Sequence, residues 1–336
     1  MKIAILSPIA WRTPPEKYGP WEQVASDVAE GMVAEGQDVT LFASGNSITS
    51  GKLASVISKP YGDDPAADVK VNESLHISNL MERSSEFDII HNHYDFLPLT
   101  YSKLITTPIV TTIHGFSSPL IIPVYKKYNE NSSYVSISNA DRNETLRYIA
   151  TVYNGIDTSK FTLNEYPEDY LLFFGRIHPH KGTSEAIEIA RRTGQRLVIA
   201  GLIQDETYWK EKVEPFVDHG QVLYIGNCGP EKRNEVLGKA RALLHPISFD
   251  EPFGLSVAEA MCCGTPVIAF NRGAMPELII DGKTGFLVNN ITEAVDALKR
   301  IKDLHRMDCR AHVGKYFSRE KMTKDYLQVY QQILSA

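Results

Sequence analysis

Apolar residues in this chain fall into short unbroken runs, separated by stretches where they recur every three or four positions. KIAILSP, DVTLFAS, FDIIHNH, PIVTTIHG and SYVSIS are runs of the first kind. Uninterrupted apolar runs suit strands covered on both faces, as in a parallel sheet. Between the first two, WEQVASDVAEGMVAEG sets Val24, Val28, Met32 and Val33 on one helical face and stops at Gly36. Strand and helix patterns in alternation predict βαβ units.

After YNGID the chain turns polar through TSKFTLNEYPED, a linker composition that predicts a domain boundary at residues 153/154. A second α/β series follows: YLLFFG, RLVIAG, QVLYIG, ALLHP, TPVIAF and GFLV. The tail SREKMTKDYLQVYQQILSA is amphipathic, with Met322, Tyr326, Val329, Tyr330 and Ile333 at helical spacing. The sequence shows no repeat and no low-complexity tract. The expected fold is α/β, two doubly wound domains in tandem. Open sheets of this kind bind ligands beyond the carboxyl ends of their strands, so residues directly after strands are the candidates for chemistry.

Composition narrows the function. Hydrophobic residues make up 43% and charged residues 23% of 336, enough for two cores. The net charge is −6, divided as −5 before residue 154 and −1 after it, which argues against nucleic acid as a partner. No segment reaches the roughly 20 apolar residues of a membrane span, and MKIAILSPIAWR reads as a first strand rather than a signal peptide. Peripheral membrane contact stays open. The cysteines, Cys228, Cys262, Cys263 and Cys309, form no CxxC pair, and a reducing cytoplasm is the expected location.

Two loops of the second series carry the most chemistry. In FFGRIHPHKG, Gly175 allows a tight exit from a strand, and Arg176 and Lys181 are cations ahead of the next helix. That arrangement suits a diphosphate; the plainer reading is two solvated cations. In EPFGLSVAE a helix is expected to start near Ser256. SVAE is then a capping box, with Glu259 reaching back to the Ser256 cap. The alternative uses the same geometry: Gly254 and Leu255 amides face a phosphate, while Glu251 and Glu259 accept hydrogen bonds from hydroxyls on either side. A ligand with a sugar, a diphosphate and a ribose satisfies every part of that reading. In the first series, His114 ends the strand of TIHG, and HNHYD supplies His91, His93 and Asp95 after another strand. Acceptor contact suits these three better than a metal site, for which no further ligand stands at a convincing spacing.

EPFGLSVAEAMCCGTPVIAFNRGAMPELIIDGKTGFLV resembles the signature of glycosyltransferase family 4, with its two glutamates. GRIHPHKG resembles that family's donor loop and YNGID its Asn-Gly-Ile-Asp segment, while TIHG and YGPWE stand where the family has a histidine and a glycine-rich first loop. The resemblance covers nearly the whole chain, in order. It implies a GT-B fold: two Rossmann-like domains facing a central cleft, with the last helix crossing back to the first domain. Domains of 1–153 plus about 318–336 (acceptor-binding) and 154–317 (donor-binding) follow. It also implies retaining, metal-independent hexosyl transfer from a nucleotide-diphosphate sugar, with no cofactor, to a hydroxyl acceptor. His114, Arg176, Lys181 and Glu251 are the implied catalytic group. Gly175, Arg176, Lys181, Glu251, Phe253, Gly254, Leu255 and Glu259 are the implied donor contacts, with Glu251 on the sugar and Glu259 on the ribose. Gly19, Glu22 and His93 belong to the acceptor or cleft loops.

The first loop departs from the family pattern. Pro20 stands where a second glycine is usual and has no N–H, so a phosphate contact through that amide is lost. Trp21 is expected to serve packing. No matched carboxylate is expected beneath the anomeric carbon, which favours front-face attack over double displacement. Two alternatives on the same fold are a nucleotide-sugar epimerase and a non-catalytic nucleotide-sugar sensor. A phosphorylase would need a pyridoxal lysine that is not identified. GxGxxG is absent after the first strand, against an oxidoreductase. The sequence leaves the acceptor and the choice between UDP-glucose and GDP-mannose donors open.

Overall fold

The computed structural model describes residues 1–116, 118–218 and 220–335. The chain forms two compact units, one from Met1–Gly155 joined by the chain from Arg319 onward, the other from Ile156–Ser318.

The first unit holds a seven-stranded sheet in the order β3-β2-β1-β4-β5-β6-β7, every pair parallel. Its strands are β1 Lys2–Leu6, β2 Asp38–Phe42, β3 Lys52–Ala54, β4 Ile89–Asn92, β5 Ile109–Ile113, β6 Ser132–Ser136 and β7 Tyr148–Thr151. β4 and β5 are buried at every position, as apolar runs without alternation require. β3 and β7 carry no such run because they are edge strands, partly open to solvent. The sheet reverses direction of growth between β1 and β4, so the loops after those strands flank its switch point.

Helix Pro20–Ala34 starts at Gly19, whose φ of 152° lies where side chains are disfavoured, and Pro20 opens its first turn. Val24, Val28 and Met32 are buried, while Val33 is half-buried. The C-terminal helix Arg319–Leu334 packs on it, burying Met322, Tyr326, Val329 and Tyr330. The two come close at Gly31, where a Cβ would lie 2.0 Å from Thr323 Oγ1. The tail helix also reaches the sheet by hydrogen bonds: Tyr326 Oη lies 2.7 Å from Thr112 Oγ1, and Tyr330 Oη 2.6 Å from His91 Nδ1. The last helix therefore belongs to the first unit. No helix among the described residues is long and apolar enough to cross a membrane.

The second unit holds a six-stranded parallel sheet in the order β10-β9-β8-β11-β12-β13. The strands are β8 Leu171–Phe174, β9 Leu197–Ala200, β10 Val222–Tyr224, β11 Ala242–His245, β12 Val267–Phe270 and β13 Gly285–Val288. Its switch point lies between β8 and β11, and the core on one face gathers Phe173, Ile199, Leu244, Ile268 and Leu298. Helix Arg306–Tyr316 packs on helix Leu255–Cys262, and Arg310 ties the two at the Cys262 carbonyl. Arg306 donates to the Asn164, Gly238 and Ala240 carbonyls and to Thr265 Oγ1; Arg310 donates to the Thr158, Phe161 and Cys262 carbonyls.

Arg306 donates to three partly buried carbonyls at once, and orphaning a buried acceptor costs about 1–3 kcal/mol. Arg306→Leu is expected to lower the unfolding free energy by about 3 kcal/mol or more. Urea unfolding reads this as a lower midpoint at constant slope; an unmoved midpoint would show that the guanidinium is dispensable.

Candidate active site

The loop after β8 is shaped by close backbone contact. A Cβ on Gly201 would lie 1.8 Å from the Gly175 carbonyl oxygen, so the exits of β8 and β9 touch. Arg176 donates to Gln204 Oε1 at 2.5 Å. One 3-10 turn, Pro179–Lys181, then leads into Gly182, which has φ 76° and lies against the Pro246 carbonyl. That contact brings Lys181 to the loop after β11, and Lys181 Nζ donates to the Glu251 carboxylate. Both side chains are largely buried, at 14% and 12% exposure. The Lys181 ammonium also lies 4.6 Å from the Phe249 ring centroid.

Burial alone would push the Glu251 carboxyl up. The Lys181 charge and His245 outweigh it and hold the group at about 2. His245 ends β11, with Nε2 3.6 Å from Glu251, beyond hydrogen-bond range, and burial lowers its pKa. Neutral pH therefore finds an ionised Glu251 beside Lys181 and an uncharged imidazole at the end of β11. Lys181 and Glu251, which the sequence assigns to different parts of a ligand, are paired with each other.

The capping box is not formed. Helix Leu255–Cys262 begins one residue earlier than expected, capped by Gly254 at φ 100° with no side-chain bond. Ser256 then stands inside the first turn, and the position that would reach back to the cap is Val257, not Glu259. Glu259 is 6% exposed and its Oε1 accepts from Arg233 Nη1 at 3.0 Å. Burial raises its pKa against the pull of Arg233. Gly254 is favoured by its φ of 100°, in the left-handed region that L side chains rarely adopt. Phe253 is a core side chain, edge-on to Phe317 at 5.8 Å, and Leu255 is half-buried.

The first unit gathers a second cluster. His114 follows β5, its Nε2 2.9 Å from His93 Nδ1. Trp21, half-buried, stacks on it with ring centroids 5.6 Å apart. Burial pushes the His114 pKa down to about 3, so the ring is neutral. Glu22 is buried, accepts from the Trp11 amide at 3.2 Å and is pushed up to about 7 by burial against its backbone hydrogen bonds. Gly19 is needed here because a Cβ would lie 2.9 Å from Pro15 Cβ and 3.0 Å from Glu22 Oε2.

HNHYD does not act as one contact surface. His91 is fully buried, with Nδ1 on Tyr330 and Nε2 2.7 Å from Thr112 Oγ1. Asp95, at φ 89°, accepts from Tyr125 Oη. Both ring nitrogens of His91 are thus taken by hydroxyls, Asp95 is bonded to Tyr125, and His93 is the residue of the three that hydrogen-bonds His114. No group of three or more His, Cys, Asp or Glu able to hold a metal is present among the described residues. His245, Phe249 and Arg233 escaped the sequence reading. His245 had the signal of closing an apolar run; Arg233, on helix Pro230–Lys239, had none.

Residues 21–160 match the family model described as Glycosyltransferase Family 4, and residues 156–318 that described as Glycosyl transferases group 1. The two matches follow one another along most of the chain, on two doubly wound parallel-sheet units. The fold is GT-B, and the chain belongs to the family 4-like glycosyltransferases. An uncharacterised glycosyltransferase of Methanocaldococcus jannaschii is 28% identical over 281 residues, 76% of this chain and 78% of the relative. Sucrose-phosphate synthase from Thermosynechococcus elongatus superposes with TM-score 0.80 at 19% identity, covering 100% of this chain and 99% of that one. HepE of Anabaena, solved in complex with UDP-glucose, gives 0.74 at 19% identity, covering 99% and 100%. At these identities the two structures speak for the fold.

The buried ion pair sets a stability test. The depressed Glu251 pKa contributes stability present above the unfolded value of about 4.3 and lost as pH falls towards 2. Lys181→Met is expected to destabilise by about 3–5 kcal/mol, because it leaves the carboxylate buried without its partner. Adding Glu251→Gln is expected to restore most of that loss. Strictly additive effects in the double-mutant cycle would show that the pair is not coupled.

Proposed function

We propose that this glycosyltransferase moves a hexosyl group from a nucleotide-diphosphate sugar to a hydroxyl acceptor, with retention and without a metal. The observation that carries the reading is the buried Lys181–Glu251 pair, with Arg176 after the same strand as Lys181, at the switch point of the second unit. A diphosphate recruits Lys181 and Arg176, and the carboxylate that Lys181 releases accepts hydrogen bonds from sugar hydroxyls. Glu259, held by Arg233, takes the ribose hydroxyls. The Gly254 and Leu255 amides, ahead of their helix, face the donor. UDP-glucose bound to the HepE relative supports a donor of this class.

The reaction we assign is front-face substitution. The acceptor oxygen forms its bond to the anomeric carbon on the face from which the diphosphate departs. The anomeric C–O bond breaks with its electron pair on the diphosphate, and the acceptor proton passes to a diphosphate oxygen. Lys181 and Arg176 stabilise that growing charge, so catalysis is chiefly electrostatic and positional. The first unit takes the acceptor role, with neutral His114 as a hydrogen-bonding group rather than an acid. Four free, buried cysteines suit a cytoplasmic setting.

Two measurements test this. With UDP-glucose and GDP-mannose as donors and a panel of sugars as acceptors, release of nucleoside diphosphate is expected to survive excess EDTA. Loss of activity restored by Mg²⁺ would remove Lys181 and Arg176 from the leaving-group role. In calorimetry with UDP and GDP, Glu259→Gln is expected to weaken binding about 10- to 150-fold, the worth of a charge-assisted hydrogen bond. Glu251→Gln is expected to leave that affinity nearly intact while depressing transfer. Parental affinity in Glu259→Gln would leave Glu259 as a partner of Arg233 only.

A further inference from the structure

One carboxylate on the chain leaving β6 has a buried oxygen without a hydrogen-bond partner. β6 runs beside β5, with Ser136 in register with Ile113, so the chain leaving β6 passes His114 and Gly115. Asp141 lies on that exit. Its backbone N–H donates to Ser138 Oγ at 3.1 Å, and the Gly115 N–H donates to its carboxylate. Its Oδ2 is buried and has no hydrogen-bond partner. No ion pair to Asp141 is present among the described residues; the adjacent Arg142 donates from Nε to Ser136 Oγ at 3.1 Å and lies over the Tyr148 ring. Burial, against the Gly115 bond, pushes the carboxyl up to about 7.

Asp141 is half-buried, yet its Oδ2 is neither solvated nor hydrogen-bonded, and a ligand hydroxyl would complete it. Asp141 stands at the carboxyl ends of β5 and β6, where doubly wound sheets bind ligands, one residue-contact from His114. His93, on the other side of His114, also has a buried unmatched atom, Nε2. We propose that Asp141 is an acceptor-specificity residue, whose Oδ2 accepts a hydrogen bond from a hydroxyl of the incoming acceptor beside His114. The assignment rests on the transferase reading above. It makes the acceptor a polyol or sugar presenting a second hydroxyl next to the one that reacts.

The test is Asp141→Asn, with UDP-glucose and GDP-mannose as donors and glucose, mannose, N-acetylglucosamine and inositol as acceptor probes. Asparagine keeps an oxygen for the Gly115 amide and removes the anion. In the free protein at mildly alkaline pH, the variant is expected to melt a few degrees higher, since an unmatched buried charge is gone. Its kcat/KM for the acceptor is expected to fall about tenfold or more, with UDP and GDP affinity unchanged. A lower melting temperature would make the carboxylate a structural element and overturn the assignment. Unchanged transfer with intact nucleotide binding would overturn it alone. A parent protein that binds neither UDP nor GDP would sink the transferase reading together with it.

Discussion

Parallel strands cannot be joined by a two-residue turn. Each must be followed by a crossover that returns the chain to the starting edge, and here helices provide most of these returns. This constraint organises both units. It buries the strands on both faces, so the central ones read as unbroken apolar runs. It also sends each chain exit to the same end of its sheet. Lys181 and Glu251 are 70 residues apart, yet they follow β8 and β11, which are hydrogen-bonded neighbours. His93 and His114 meet for the same reason, after adjacent β4 and β5.

The two strand-end clusters are electrostatically different. In the second unit a buried cation holds a buried carboxylate ionised, and the nearby imidazole is kept neutral. The pair is mutually satisfied, so an anionic ligand has to offer Lys181 at least what Glu251 already provides. In the first unit, no ion pair to Glu22 or Asp141 is present among the described residues. Glu22 and Asp141 are both pushed up to about 7, and His114 down to about 3, each chiefly by burial. One cluster holds an ion pair; the other holds groups that burial brings towards neutrality.

Glycine placement ties backbone to site. Gly182 approaches the Pro246 carbonyl and Gly201 the Gly175 carbonyl, both too closely for any side chain. Gly273 lies against the Glu251 backbone, where a Cβ would be 2.4 Å from its nitrogen, and the Ala274 N–H donates to the Glu251 carbonyl. The loop carrying Glu251 is thus held from two sides before its carboxylate meets Lys181.

The sequence by itself determined the order of strands and helices, the two-domain class and the residues after strands. Those features are local: periodicity, run length and turn residues need no partner to be read. It missed β3 and β7, because half-exposed edge strands carry no continuous apolar signal. It placed the cap of the 255–262 helix at Ser256, because a capping box is written in side chains whereas the actual cap, Gly254, is set by a left-handed backbone angle with no side-chain bond. Only the tertiary structure joined Lys181 to Glu251, Arg233 to Glu259 and His91 to Tyr330, pairs separated by 70, 26 and 239 residues. It also decided their charge states, since a pKa depends on how far burial is offset by a partner, and neither burial nor partner is written in local sequence.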